Sequence, residues 1–204
     1  GFNALARFYG ERAKGGAGLI VTGGISPNRR GVLKPGGAKL TARRQIRNHR
    51  IITDAVHANG GRICLQILHG GRYSYHPLNV APSSIKTAIN RFKPISLSIR
   101  GVKKTIRQYA KCAAIAKEAG YDGIEIMGSE GYLINQFLVT ATNKRRDQYG
   151  GSFENRMRFP IEIIRSIRER VGAEFAIIFR LSMLDLIEEG SSWGEIQSLA
   201  IIRT

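Results

Sequence analysis

Tyr132 lies in the stretch MGSEGYLINQFL (residues 127–138), directly after the apolar run YDGIEI. A phenol of reference pKa near ~10 carries its proton at neutral pH and can donate it. Gln66, inside RICLQILHGGR, brings an amide that both donates and accepts, and within an apolar strand such a group requires a partner. Arg180 ends the run AIIFR with a cation that keeps its charge at any accessible pH. Gly24 closes LIVTGG, where the lack of a Cβ admits close approach. Each has a plainer reading: a tyrosine capping a strand, a satisfied core amide, an internal salt bridge, a strand-ending glycine. His69 and Arg72 in LHGGR read as groups that brace a loop. Asp147 and Arg156 read as a charge pair holding the loop after the third strand.

The elements that must position these groups alternate in period. FNALARFYGERAKGG places Phe2, Leu5, Ala6 and Tyr9 on one helical face and stops at Gly15-Gly16. The strand AGLIVTGG follows. A second helix is expected over about Gln45–Asn59, with Ile46, Ile51, Ile52, Ala55 and Val56 apolar. The strand RICLQILHGGR comes next. Tyr73–Ile99 shows no sustained period and reads as a long loop. A third helix over about Val102–Ala119 buries Ile106, Tyr109, Ala110 and Ala113. The strand GYDGIEIM, a helix ending near Val171 with Ile163, Ile164 and Ile167 inward, the strand FAIIFRLS and a helix beginning in SSWGEIQSLAIIRT complete the chain.

Short apolar strands separated by helices imply a parallel sheet with right-handed crossovers. A doubly wound sheet and a (β/α)8 barrel both satisfy that pattern. Polar groups end every strand: Thr22 to Gly24, Gln66 and His69, Met127 to Tyr132, and Arg180 with Ser182. Only a barrel gathers all four ends at one mouth, so the expected fold is an α/β partial TIM barrel of about four to five βα units, one domain over residues 1–204. The chain opens on a helix and stops one helix after its fourth strand. The expectation is therefore an internal fragment, lacking the first strand and the last strands.

The chain has 204 residues, 43% of them apolar, enough to bury a core. Its formal charge of +17 is spread along the sequence, which reads first as solvated helix faces. Nonspecific contact with polyanions, by a decayed non-catalytic fragment, is the second reading. Cys64 and Cys112 have neither metal nor disulfide-framework spacing, which fits the cytoplasm. No metal site and no membrane span are expected.

LQILHGGRYSYHP, APS, AGYDGIEIMGSEGYLINQFL, TNKRRDQYGGSFENRMRF and FRLS together resemble the flavin-dependent Old Yellow Enzyme family, from about Leu5 to Leu199. The densest block spans Asn143–Phe159. Many ene-reductases of that family carry His/His or His/Asn where this chain has Met127 and Glu130. MGSEGYLIN is instead similar to the bacterial NADPH-dependent 2,4-dienoyl-CoA reductases. The resemblance implies an FMN barrel in which Gly24, Gln66 and Arg180 contact the cofactor and Tyr132 is the proton donor. It implies an unsaturated acyl-CoA substrate of fatty acid beta-oxidation. Beyond this segment it implies an FAD/NADPH domain and a 4Fe-4S cluster, so that the fragment by itself is expected to be inactive. Another flavin reductase or dehydrogenase of the same family is the enzymatic alternative. Ala141 stands where those reductases tend to have arginine, so one acyl-CoA contact is expected to be missing.

Overall fold

The computed structural model of the chain describes residues 1–201. Its helices are α1 (Phe2–Lys14), α2 (Ile46–His57), α3 (Ile99–Glu118), α4 (Leu133–Leu138), α5 (Phe153–Val171) and α6 (Trp193–Ala200). Its strands are β1 (Leu19–Val21), β2 (Arg62–Ile67), β3 (Val80–Ala81), β4 (Ile95–Ser96), β5 (Gly123–Gly128) and β6 (Ala176–Leu181). The last three residues of the helix expected from SSWGEIQSLAIIRT lie outside the described residues.

β1, β2, β5 and β6 form one parallel sheet in chain order. That order separates the two candidate architectures. A doubly wound sheet reverses its order at a switch point, whereas barrel strands are added successively at one edge. These strands are four consecutive staves of a partial (β/α)8 barrel.

Alternation along the strands then assigns the faces. Ile63, Leu65 and Ile67 of β2 and Ile124 and Ile126 of β5 are fully buried, in one core with Ile106, Tyr109, Ala110 and Ala113 of α3 and Ile163 and Ile167 of α5. The intervening residues, Gln66 on β2, Glu125 and Met127 on β5 and Arg180 on β6, take the opposite face. Ser98 and Ser152 start α3 and α5 by accepting hydrogen bonds from the amides of Gly101 and Asn155.

Two residues of these apolar faces remain uncovered. Leu5 is 43% exposed and lines a cavity of about 700 Å³ between α1, α2 and the loop after β1. α1 instead buries Ala6, Tyr9, Gly10 and Ala13. Ile51 is exposed as well, because α2 is rotated to bury His49, Ile52, Thr53 and Val56. The region read as a long loop contains the two-residue pair β3–β4, and α4 has only six residues. Neither is long enough to display a period.

His49 supplies a test of this packing. Its Nδ1 lies 3.0 Å from the Tyr121 hydroxyl, and burial pushes the imidazole down to about 4 from 6.5. Between those values the unfolded chain binds the proton and the folded chain does not, so stability falls as pH drops from about 6.5 to about 4. Buried His69, pushed down to about 3, adds to the same loss. The slope per histidine reaches at most ~1.4 kcal/mol per pH unit. Urea midpoints measured across this window are expected to decline, and less steeply in His49→Gln. Equal slopes in the two proteins would remove His49 as a cause.

Candidate active site

Strand register brings the separate motifs together. Gln66 pairs with Glu125 across β2 and β5, and Met127 pairs with Arg180 across β5 and β6. Gln66, Glu125, Met127 and Arg180 therefore share one face, with Met127 and Arg180 one inward-facing row nearer the C-terminal rim.

The Gln66 backbone N–H donates to Thr22 Oγ1 at 3.0 Å, and its side-chain Nε2 donates to Glu125 Oε1 at 2.7 Å. Both Gln66 and Glu125 are buried. Gly24 stands beside this amide: a Cβ there would come 2.7 Å from Leu68 Cδ1 and 3.2 Å from Gln66 Oε1. A side chain at position 24 would thus crowd the free amide oxygen.

At the rim, Arg180 Nη2 donates to Glu130 Oε1 at 2.7 Å, with both side chains half exposed. Ion pairs so open to water contribute about 0–1 kcal/mol, so Arg180 is easily released to another anion. Glu130 has φ 60° and its amide donates to Ser182 Oγ at 3.1 Å. Gly131 follows at φ 71°, where a Cβ would lie 2.8 Å from the Tyr73 ring. This left-handed pair turns the chain out of β5 and delivers Tyr132 at the start of α4.

The Tyr132 ring meets Tyr73 edge-on, with centroids 6.3 Å apart at 85°. Burial, with the Glu130 carboxylate and Tyr73 adding to it, holds its phenol above the usual tyrosine range. At neutral pH the group is a proton donor and not a base. Tyr132 thus follows two residues after the glutamate that touches Arg180. The amide and the guanidinium share one strand face, and the phenol follows at the turn out of β5.

His69 is fully buried, accepts the Gly71 N–H on Nδ1 at 3.1 Å, and its carbonyl accepts from the Leu133 amide at 3.0 Å. It ties the end of β2 to α4. The Arg72 amide donates to Gln136 Oε1 of the same helix at 3.1 Å.

Asp147 and Arg156 do not pair with each other. Asp147 is held by Arg145 through a 3.0 Å bond from Nε and a 2.5 Å bond from Nη2, which keeps its carboxyl below the usual range despite partial burial. Arg156 reaches Glu195 on α6 and the carbonyls of Leu138 and Gly151. Both brace the loop after β5, but through partners that spacing does not disclose. Glu125 was also missed by sequence reasoning. Its signal was present, a carboxylate in an apolar strand at the same parity as Met127.

A sequence model of the NADH:flavin oxidoreductase / NADH oxidase family matches residues 2–203. The metal reductase of Desulforamulus reducens is 42% identical over 187 residues, covering 90% of this chain and 28% of that protein. The cinnamate reductase of Clostridium sporogenes is 38% identical over 201 residues, covering 92% of this chain and 30% of that protein. A solved complex of 2-naphthoyl-CoA reductase with 2-naphthoyl-CoA superposes with a TM-score of 0.92 at 32% identity, covering 97% of this chain and 33% of that one. The chain spans roughly a third or less of the length of each.

Proposed function

Because this chain belongs to the NADH:flavin oxidoreductase / NADH oxidase family, we propose that it is the flavin-binding and reducing part of an oxidoreductase that saturates a conjugated C=C bond in a 2,4-dienoyl-CoA. The observation that carries the reading is a guanidinium and a half-engaged amide on one strand face, with a protonated phenol two residues beyond the glutamate that bonds the guanidinium. Met127 and Glu130, a thioether and a carboxylate, replace a pair of hydrogen-bond donors at the rim.

The residues present fit FMN. A flavin pyrimidine edge alternates carbonyl acceptors with one N–H donor. Gln66 keeps Oε1 and one amide hydrogen free after bonding Glu125, and Gly24 leaves that oxygen reachable. Among the described residues the guanidinium of Arg180 bonds only Glu130, so its remaining N–H groups are open to the negative side of a reduced ring. Bound FMN would supply two-electron transfer between a nicotinamide and the substrate.

The share of this chain is position and protons. Gln66 and Arg180 hold the ring edge, and Tyr132 Oη–H delivers the proton that one carbon of the substrate requires. FAD, a 4Fe-4S cluster and NADPH as donor are part of the same proposal for the natural polypeptide and rest on the sequence resemblance. Its placement in the cytoplasm rests on Cys64 and Cys112, which lack the spacing of a disulfide framework. No described helix is long and apolar enough to cross a membrane.

Another flavin reductase or dehydrogenase is the second reading, favoured by the spread of relatives from metal reductase to cinnamate reductase. The test is oxidation of NADPH and NADH by the purified natural polypeptide with dienoyl-CoA, cinnamate or ferric chelate as acceptor. Turnover with dienoyl-CoA supports the first reading. Turnover confined to the other acceptors supports the second, and none with any acceptor defeats both.

A further inference from the structure

We propose that Glu125 is a positioning residue: its buried carboxylate fixes the Gln66 carboxamide in one of its two flips, so that an oxygen acceptor meets the N–H of the flavin pyrimidine edge. The inference rests on Gln66 as a cofactor contact. A glutamine amide has nearly the same shape in either flip, so its partners alone decide whether it presents oxygen or NH2.

Here the partner is decisive. Gln66 and Glu125 occupy paired positions on adjacent strands and point to the same face. They are 8% and 9% exposed, and Nε2 lies 2.7 Å from Glu125 Oε1. A carboxylate accepts and does not donate. The opposite flip would press Gln66 Oε1 against that oxygen with little water to screen the repulsion. The bond from the Gln66 amide to Thr22 Oγ1 holds the backbone of β2, and the space at Gly24 keeps Oε1 approachable. Any apolar residue at position 125 would satisfy a buried strand; the carboxylate instead removes one of two states of a neighbouring side chain.

Glu125→Gln keeps the shape and replaces an acceptor with a group that both accepts and donates. Both Gln66 flips then become compatible with residue 125. The experiment measures binding of FMN and of 3-deaza-FMN, in which the N3–H is replaced by an isosteric C–H, to the apoprotein of the natural polypeptide by flavin fluorescence. Wild type, Glu125→Gln and Gln66→Leu are compared, with thermal unfolding as a check on the fold.

The expected result is that wild type prefers FMN, that Gln66→Leu abolishes the preference, and that Glu125→Gln reduces it about twofold, the factor by which two equally allowed flips dilute the competent one, at nearly unchanged melting temperature. Weaker binding of both flavins by Glu125→Gln at an unaltered ratio would make Glu125 merely structural and overturn the proposal. Retention of the preference in Gln66→Leu would overturn the contact assigned to Gln66, and this proposal with it.

Discussion

Replacing Tyr132 with phenylalanine is expected to slow reduction of the unsaturated substrate by ~100- to 10,000-fold, the range of a positioned general acid. Reduction of the bound flavin by NADPH should change by less than about twofold, because in the proposed reaction only the second half-reaction takes a proton from this chain. The substitution removes one hydroxyl and leaves the ring that packs edge-on against Tyr73. The phenol is held protonated by burial and by the neighbouring Glu130 and Tyr73, so the acid form persists throughout the neutral range. The rate of substrate reduction should therefore fall only above the ordinary tyrosine range. Stopped-flow measurement of the two half-reactions in the natural holoenzyme separates the outcomes. Equal losses in both would assign Tyr132 to the fold or to cofactor retention.

Arg156→Met is expected to destabilise the fold by about 3 kcal/mol, the scale for removing one partner of a buried ion pair. The Arg156 side chain is only 5% exposed and Glu195 is 21% exposed. The guanidinium also satisfies the carbonyls of Leu138 and Gly151, so its loss leaves several acceptors without a donor. Glu195 further accepts from the Ser192 amide in the cap of α6, so the ion pair links α5 to the start of that helix. Urea unfolding followed by fluorescence of Trp193, the single tryptophan of the chain, reads the change close to the lesion. Arg180→Met, which breaks a pair half open to water, should change stability by less than about 1 kcal/mol. Similar losses in the two variants would show that burial is not what makes the Arg156 pair strong.

Much of this molecule was legible in its amino-acid order. The apolar runs holding Ile63, Leu65 and Ile67, and Ile124 and Ile126, announced strands buried on both faces. The inward residues of α3 fell at helical spacing. The polar residues at the strand ends marked a rim. Each is a local property, carried by the period of a strand or helix over a handful of residues.

Other features required strands distant in sequence to be set side by side. Register alone places Glu125 against Gln66, 59 residues apart. The ion pair that joins α5 to α6 gives Arg156 its partner Glu195, where sequence spacing had suggested Asp147. The rotation of α1 and α2 about their axes leaves Leu5 and Ile51 exposed although both fit the apolar stripe. A periodic pattern defines which residues share a face. What that face meets is decided by pairing and packing between elements, and a side chain acquires its chemical role from that meeting.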